Sequence, residues 1–109
     1  ELTPERQFER RYALALLEEV LRRVQSELTA AGKPLQFEHL KEAITGEMTQ
    51  AQYDRAARAL GTTAAAARQA AYRLRKRYRE LFRSEVARTV GSETELDEEI
   101  TGLLDALGK

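Results

Sequence analysis

The side chains best suited to chemistry in this sequence are cationic and amide groups concentrated between residues 68 and 79. Guanidinium and ammonium groups bind phosphate oxygens, and arginine and glutamine also present paired hydrogen-bonding atoms that match the edges of guanine and adenine. The side chains concerned are Arg68, Gln69, Tyr72, Arg73, Arg75, Lys76 and Arg79. Their chemistry is that of a surface that binds a polyanion.

A helix over residues 63–90 is expected to position these side chains. Apolar residues recur there at spacings of three and four, which gathers them on one side of an α-helix. The expected buried side consists of Ala67, Ala71, Leu74, Tyr78, Leu81 and Phe82. The expected outer side consists of Arg68, Gln69, Tyr72, Lys76, Arg79 and Arg83. One helix would thus turn apolar atoms to a core and cations to the solvent.

A shorter helix precedes this one, and the two together predict a helix-turn-helix over residues 49–90. Gly61 is expected to close the shorter helix in the left-handed conformation, and Thr62 or Thr63 to cap the longer one. The apolar stripe of the shorter helix is formed by Tyr53, Ala56, Ala57 and Leu60. These alanines and the run 64–67 are expected to let the two backbones approach closely. In such a motif the second helix enters the DNA major groove by its N-terminal end.

DNA contacts follow from position on the long helix. The hydroxyl of Thr63 and the backbone N–H groups of Ala64 and Ala65 are expected to bind a phosphate at the positive end of the helix dipole. Further phosphates are expected to be neutralised, with salt-dependent affinity, by Arg68, Arg75, Lys76, Arg79 and Arg83. Base edges are expected to be read by the exposed side chains near the helix start, which are Arg68, Gln69, Tyr72 and Arg73.

The run ALGTTAAAARQAAYRLRKRYRELF resembles region four, the promoter-reading domain, of bacterial RNA polymerase sigma factors of the extracytoplasmic-function (ECF) type. The positions that match the family pattern are Leu60, Gly61, Thr63, Arg68, Arg73 and Arg75. Tyr72 stands where the family usually has histidine, and Ala64 and Ala65 replace a frequent Glu-Gly pair. Residues 8–24 resemble the segment that leads into region four in a subgroup with an extended C-terminus, so the similarity runs from about Phe8 to Val90.

The resemblance implies a function in transcription initiation. The DNA would be the −35 promoter element, and the partner would be the RNA polymerase core, contacted through the flap of its β subunit. An anti-sigma factor is a further implied partner, and the implied location is the cytoplasm, on the nucleoid. Alternatives stay open: a helix-turn-helix repressor or activator, or an all-helical module that binds polymerase or an anti-sigma factor and has little affinity for DNA.

Charge is divided along the chain although the net charge is zero. Residues 62–90 contain eight Arg or Lys against two Glu, whereas residues 91–109 contain six Asp or Glu against one Lys. The local field of a surface, rather than the total charge, decides what that surface attracts. The acidic segment could therefore compete with DNA for the basic face, or it could simply complete the core.

The remaining segments predict an all-α protein, a helical bundle of about five helices. Thr3 and Pro4 start a first helix that runs to about Ala31 before Gly32, and a shorter helix covers residues 35–46. The last helix, over residues 92–107, is amphipathic and acidic and opens with Ser92 and Glu95 in a capping-box arrangement. The expected inward residues of the first helix include Phe8, Tyr12, Val20 and Val24, and those of the last are Leu96, Ile100, Leu103, Leu104 and Leu107.

A chain of 109 residues predicts a single helical domain, and its opening on Glu1 rather than methionine predicts a fragment of a longer protein. The absence of cysteine suits a reducing cytoplasm, and no apolar run approaches the ~20 residues that span a bilayer. His39 is the only histidine and has no neighbour suited to a metal site. Neither a nucleophile with a base nor a phosphate loop is evident, so we expect no enzyme activity, cofactor, metal, small-molecule substrate or membrane contact.

Overall fold

The computed structural model describes residues 3–88 and 93–108, and every regular element within them is an α-helix. The elements are α1 (Pro4–Ala30), α2 (Pro34–Leu40), α3 (Glu42–Thr45), α4 (Gln50–Leu60), α5 (Ala64–Ala87) and α6 (Glu93–Gly108). The all-α prediction is confirmed. There are six helices in the described ranges rather than five because the helix predicted over residues 35–46 is divided in two.

The division between α2 and α3 lies at Lys41. The Lys41 N–H still donates to the Phe37 carbonyl at 2.9 Å, but the Ile44 N–H donates to the Lys41 carbonyl at 3.0 Å, only three residues back. This tighter turn interrupts the four-residue pattern of an α-helix. Gly46 follows α3 in extended backbone, with φ −167°, so the segment ends where the sequence predicted.

Helix starts follow the capping chemistry of the sequence. The Arg6 N–H donates to the Thr3 hydroxyl at 3.2 Å, which confirms the predicted cap of α1. Thr49 caps α4 through a capping box: its hydroxyl accepts from the Gln52 N–H at 3.2 Å, and the Gln52 side-chain oxygen accepts from the Thr49 N–H at 2.6 Å. Such a cap typically stabilises a helix by about 0.5–2 kcal/mol, so the start of α4 is fixed locally.

The chain divides into two compact units, which we call the central unit (Arg22–Arg79) and the terminal unit (Glu1–Leu21 with Glu80–Lys109). In the central unit, α2 packs against α3 and α4. Alanine side chains make up much of its core. Buried there are Val24, Phe37, Leu40, Ala43, Tyr53, Ala56, Ala57, Ala67, Ala70, Ala71 and Leu74. Of the alanine run 64–67, only Ala67 is buried.

The terminal unit has its own apolar core, formed by Ala13, Val20, Leu81, Phe82, Val86, Leu103 and Ala106. Two predicted inward residues of α1 are exposed instead, since Phe8 is 66% and Tyr12 38% exposed. In α6, Leu104 is 55% exposed and Ala106 is buried in its place. The side chains of Glu95 and Leu96, and Ser92 itself, lie outside the described residues, as does the predicted capping box.

Candidate nucleic-acid interface

The turn between α4 and α5 has the geometry that the sequence predicted. Gly61 adopts the left-handed conformation, with φ 68° and ψ 35°. Its N–H donates to the carbonyls of Ala57 and Arg58, and the Thr62 N–H donates to the Ala57 carbonyl at 2.9 Å. This is the hydrogen-bonding pattern of a Schellman motif, which satisfies the last carbonyls of α4 while reversing the chain. Three residues, 61–63, therefore suffice to connect the two helices.

Thr63, rather than Thr62, caps α5. The Thr63 hydroxyl accepts from the Ala66 N–H at 3.1 Å, and the Thr63 carbonyl accepts from the Ala67 N–H at 2.9 Å. The N–H groups of Ala64 and Ala65 belong to the first helical turn and have no carbonyl partner within the helix. Because the positive end of the helix dipole lies at the same place, this turn is suited to bind an anionic group.

The outer face of α5, which we define as Gln69, Tyr72, Lys76 and Arg79, is open to solvent. Tyr72 is 60% exposed. Within the part of the chain that the structure describes, these four side chains form neither hydrogen bonds nor ion pairs with other residues. The predicted opposite, buried side is confirmed as well, except that Tyr78 is half-buried. The outer face is therefore available to a ligand over about three helical turns.

Arg68 lies at the edge of the outer face and is held by α4. Its guanidinium carbon lies 4.4 Å from the centroid of the Tyr53 ring. Its Nη2 donates a hydrogen bond to the side-chain oxygen of Gln50, whose Nε2 in turn donates to Asp54 Oδ1 at 2.9 Å. Arg68 itself is exposed. Arg68, the predicted base-reading residue nearest the start of α5, is thus exposed to solvent while its side-chain conformation is restrained.

Arg73 and Arg75 occupy the two flanks of α5 rather than its outer face. Arg73 is exposed and lines a groove of about 580 Å³ together with Lys33 of the α1–α2 connection and Leu35 of α2. Arg75 is half-buried, and its Nη1 lies 3.4 Å from the Ala43 carbonyl oxygen, a long hydrogen bond. Eight of the ten predicted site residues thus lie at the start of α5 or along its outer side. The other two, Arg73 and Arg75, lie on its flanks.

Arg77, on the flank of α5 towards α1, was not among the predicted site residues and is engaged within the protein. Its Nε and Nη2 donate to the two carboxylate oxygens of Glu27 at 2.8 and 2.7 Å. The hydrogen bond from Arg77 lowers the pKa of Glu27 below its ordinary value, against a smaller opposing effect of burial. Arg77 therefore fastens α5 to α1 within the central unit.

The local charge favours an anionic ligand. Between Ala64 and Arg79 the sequence contains six cations and no acidic residue. One of the six, Arg77, is paired with Glu27, so the other five positive charges lie on the outer face or beside it. In the terminal unit, Arg83 Nη1 donates to Asp97 Oδ1 at 3.0 Å, so this predicted phosphate-binding cation is already paired.

The described residues contain no cluster of three or more histidine, cysteine, aspartate or glutamate side chains placed to hold a metal ion. His39 is half-buried on α2. Nor does any helix in the described ranges combine the length and apolar character needed to cross a membrane.

Gln50 and Tyr53 are the functional candidates that sequence reasoning missed. They contact Arg68 across 18 and 15 residues of chain, and helical periodicity relates only residues within one helix. Comparison with known proteins finds no match: no family model fits the chain, and neither a curated protein nor a solved structure is significantly similar to it.

Proposed function

We propose that this chain reads the −35 promoter element as region four of an ECF-type sigma factor, and so directs the RNA polymerase core to initiate transcription. The observation that carries the proposal is the outer face of α5, which is exposed, surrounded by cations and placed directly after a capped, Gly61-closed turn. Exposure, positive charge and a short turn are the three properties a reading helix needs to enter a major groove.

In this proposal the start of α5 holds the DNA backbone. The Thr63 hydroxyl and the N–H groups of Ala64 and Ala65 bind one phosphate oxygen at the helix terminus. Lys76 and Arg79, farther along the outer face, neutralise phosphates without reading sequence. Arg73 and Arg75 act through charge at longer range, since the first lines a lateral groove and the second points towards the Ala43 carbonyl.

Sequence is read by the exposed side chains of the first three turns. Arg68 is suited to guanine, whose O6 and N7 accept two guanidinium hydrogen bonds, and Gln69 to adenine N6 and N7. Tyr72 offers a ring edge for a thymine methyl group and a hydroxyl for a phosphate. One bidentate contact discriminates between bases by about 1–3 kcal/mol, so the isolated chain is expected to bind weakly and to depend on polymerase for affinity.

The partners follow from the resemblance given above. They are promoter duplex, the RNA polymerase core through its β-subunit flap, and an anti-sigma factor, with the bacterial cytoplasm as the place of action. The proposed activity is binding rather than catalysis, with no cofactor.

One observation favours a second candidate, an all-helical module that binds a protein partner. The groove beside Arg73 contains an exposed apolar side chain, Leu35, which is 50% exposed, and the cationic side chain of Lys33. Such a surface suits an amphipathic acidic helix. A helix-turn-helix repressor or activator is the alternative within the DNA-binding class.

The test is selection of bound duplexes from a random pool by the full-length protein assembled with polymerase core. We expect one enriched motif upstream of the start site. Replacing Arg68 and Gln69 with alanine should change the motif, whereas Arg79→Ala should lower affinity evenly across sequences. Arg11→Ala, which removes one exposed positive charge from α1, is the matched control and should change neither.

Salt dependence separates the candidates. Phosphate contacts make affinity fall steeply with salt, with a slope of about 0.9 per neutralised phosphate on logarithmic axes. A steep slope with no enriched sequence would leave a basic surface but remove the promoter function. Binding to a protein partner that survives alanine substitution of the whole outer face would favour the interaction module.

A further inference from the structure

Arg68 is held from the preceding helix before any ligand arrives. We propose that Gln50, oriented by Asp54, is a positioning residue that aims the Arg68 guanidinium at a base edge. The inference rests on the proposed function, because it concerns how one reader of that interface acquires its conformation.

The orientation of the Gln50 amide decides which of its atoms faces Arg68. The Asp54 carboxylate only accepts hydrogen bonds, so the amide must present its Nε2 to Asp54, at 2.9 Å, and its oxygen to the opposite side. That oxygen accepts from Arg68 Nη2. A reversed amide would set donor against donor at Arg68 and acceptor against acceptor at Asp54. Asp54 therefore selects the one amide orientation that attracts a guanidinium.

Tyr53 supplies a second point of contact. Its ring is 5% exposed and hence fixed by the core of the central unit, and the guanidinium carbon of Arg68 lies 4.4 Å from its centroid. A cation over an aromatic face is attracted by the ring quadrupole. The ring and the Gln50 oxygen together fix the position and tilt of the planar guanidinium.

The contact with Gln50 leaves enough N–H donors on the Arg68 guanidinium to bind a base. A guanidinium carries five N–H donors, and the bond to Gln50 occupies one of them. A bidentate contact to guanine O6 and N7 requires two. Holding Arg68 in advance therefore reduces the entropy lost on binding without consuming its capacity to read, which is the general benefit of preorganisation.

The first experiment measures how strongly the Arg68 side chain is ordered in the absence of DNA. Nitrogen-15 relaxation reports the order of the Arg68 Nε–H bond in the free protein. We expect that order to fall in Gln50→Ala and to persist in the matched control Gln69→Ala, which removes an exposed amide from the next position on α5. Asp54→Asn can offer a donor to the amide and so permits the reversed orientation, and it should also lower the order. Unchanged order in Gln50→Ala, with thermal unfolding showing an intact fold, would overturn the inference.

The second experiment uses the full-length protein with polymerase core and the duplex enriched in the selection. Gln50→Ala should reduce the preference at the base pair assigned to Arg68 by about two- to tenfold, the cost of ordering one long side chain on binding. The same substitution should have no further effect in Arg68→Ala, because Gln50 acts through Arg68. Additive losses would show that Gln50 acts independently and would overturn the inference.

The two experiments distinguish the failure of each proposal. If no duplex is enriched, the proposed function fails and base reading by Arg68 fails with it. The relaxation measurement still decides whether Gln50 holds Arg68. If a motif is enriched but Arg68 is equally ordered with and without Gln50, the proposed function stands and the positioning role is removed.

Discussion

The guanidinium of Arg68, on α5, lies over the ring of Tyr53, on α4, with 4.4 Å between the guanidinium carbon and the ring centroid. A contact of this kind contributes about 0.5–1 kcal/mol when one partner is exposed. It ties the first cation of α5 to a side chain that the core immobilises. The two helices of the motif are thus joined by contacts of the Arg68 side chain as well as by the turn.

Gly61→Ala should destabilise the protein. Nothing lies within 4 Å of a Cβ built at Gly61, so the cost arises from its positive φ alone, about 1–2 kcal/mol for an L-residue. Gly102→Ala is the matched control. A Cβ there also meets nothing within 4 Å, but the residue is inside α6, where alanine should stabilise by about 0.5–1 kcal/mol. Urea denaturation measures both, and effects of the same sign would contradict the conformational explanation.

Glu27→Gln should remove a small stabilisation of the fold that is present near neutral pH and is lost in acid. The lowered pKa of Glu27 means that its pairing with Arg77 stabilises the fold above the ordinary value of 4.5 and ceases to do so as pH falls through the lowered value. Both side chains are nearly half exposed, so the pair contributes about 0.2–1 kcal/mol.

Denaturation between pH 3 and 7 should therefore show a shallower decline in acid for Glu27→Gln than for the wild type. Glu38→Gln, at an exposed glutamate of α2, is the control and should leave the wild-type decline in place. Identical acid profiles for wild type and Glu27→Gln would remove the role assigned to the Arg77 hydrogen bonds.

Tyr78→Phe should make the protein more resistant to alkali. Burial raises the pKa of Tyr78 from 10.0 to about 12. The unfolded chain therefore ionises first, so stability is complete below pH 10 and is lost as pH rises towards 12. Phenylalanine keeps the ring and removes the ionisation. Tyr72→Phe serves as the control because Tyr72 is 60% exposed. An alkaline profile altered equally by both substitutions would refute the role of burial.

Asp97→Asn should strengthen DNA binding modestly. Arg83 is paired with Asp97, and both side chains are about half or more exposed, so the pair contributes about 0.2–1 kcal/mol. Releasing Arg83 to a phosphate should lower Kd by about 1.5- to fivefold, within the same range. Glu98→Gln removes an equal charge from α6 without this ion pair and should have a smaller effect. Equal effects would indicate general repulsion by the acidic helix rather than competition for Arg83.

Helical periodicity predicted both faces of α5 because the direction of each side chain around a single helix decides which face it belongs to. Ala67 and Leu74 are buried and Gln69 and Tyr72 exposed, as expected. Local chemistry also predicted the turn, since a left-handed glycine and a threonine cap act on their own neighbours. Most of the fold and the start of the candidate site were predictable for this reason.

Helical periodicity did not predict burial correctly along α1. There, burial depends on which part of the long helix is covered by other helices. Phe8 and Tyr12 belong to the apolar stripe of α1 but are exposed, whereas the small Ala13 is fully buried. A stripe gives the direction of the apolar face without giving the length over which it is covered. In the same way, the spacing of Arg75 could not reveal its approach to the Ala43 carbonyl, 32 residues earlier.

The three-residue connection 61–63 restricts how this motif can be re-engineered. The linker is short and closed by its own hydrogen bonds, and Arg68 of α5 contacts Gln50 and Tyr53 of α4, so the orientation of α5 depends on α4. If α5 alone were replaced by the corresponding helix of another protein, the new side chains would face the original Gln50 and Tyr53 of α4. A segment from the Thr49 cap to Arg79 would transfer the readers of α5 together with the side chains of α4 that support Arg68.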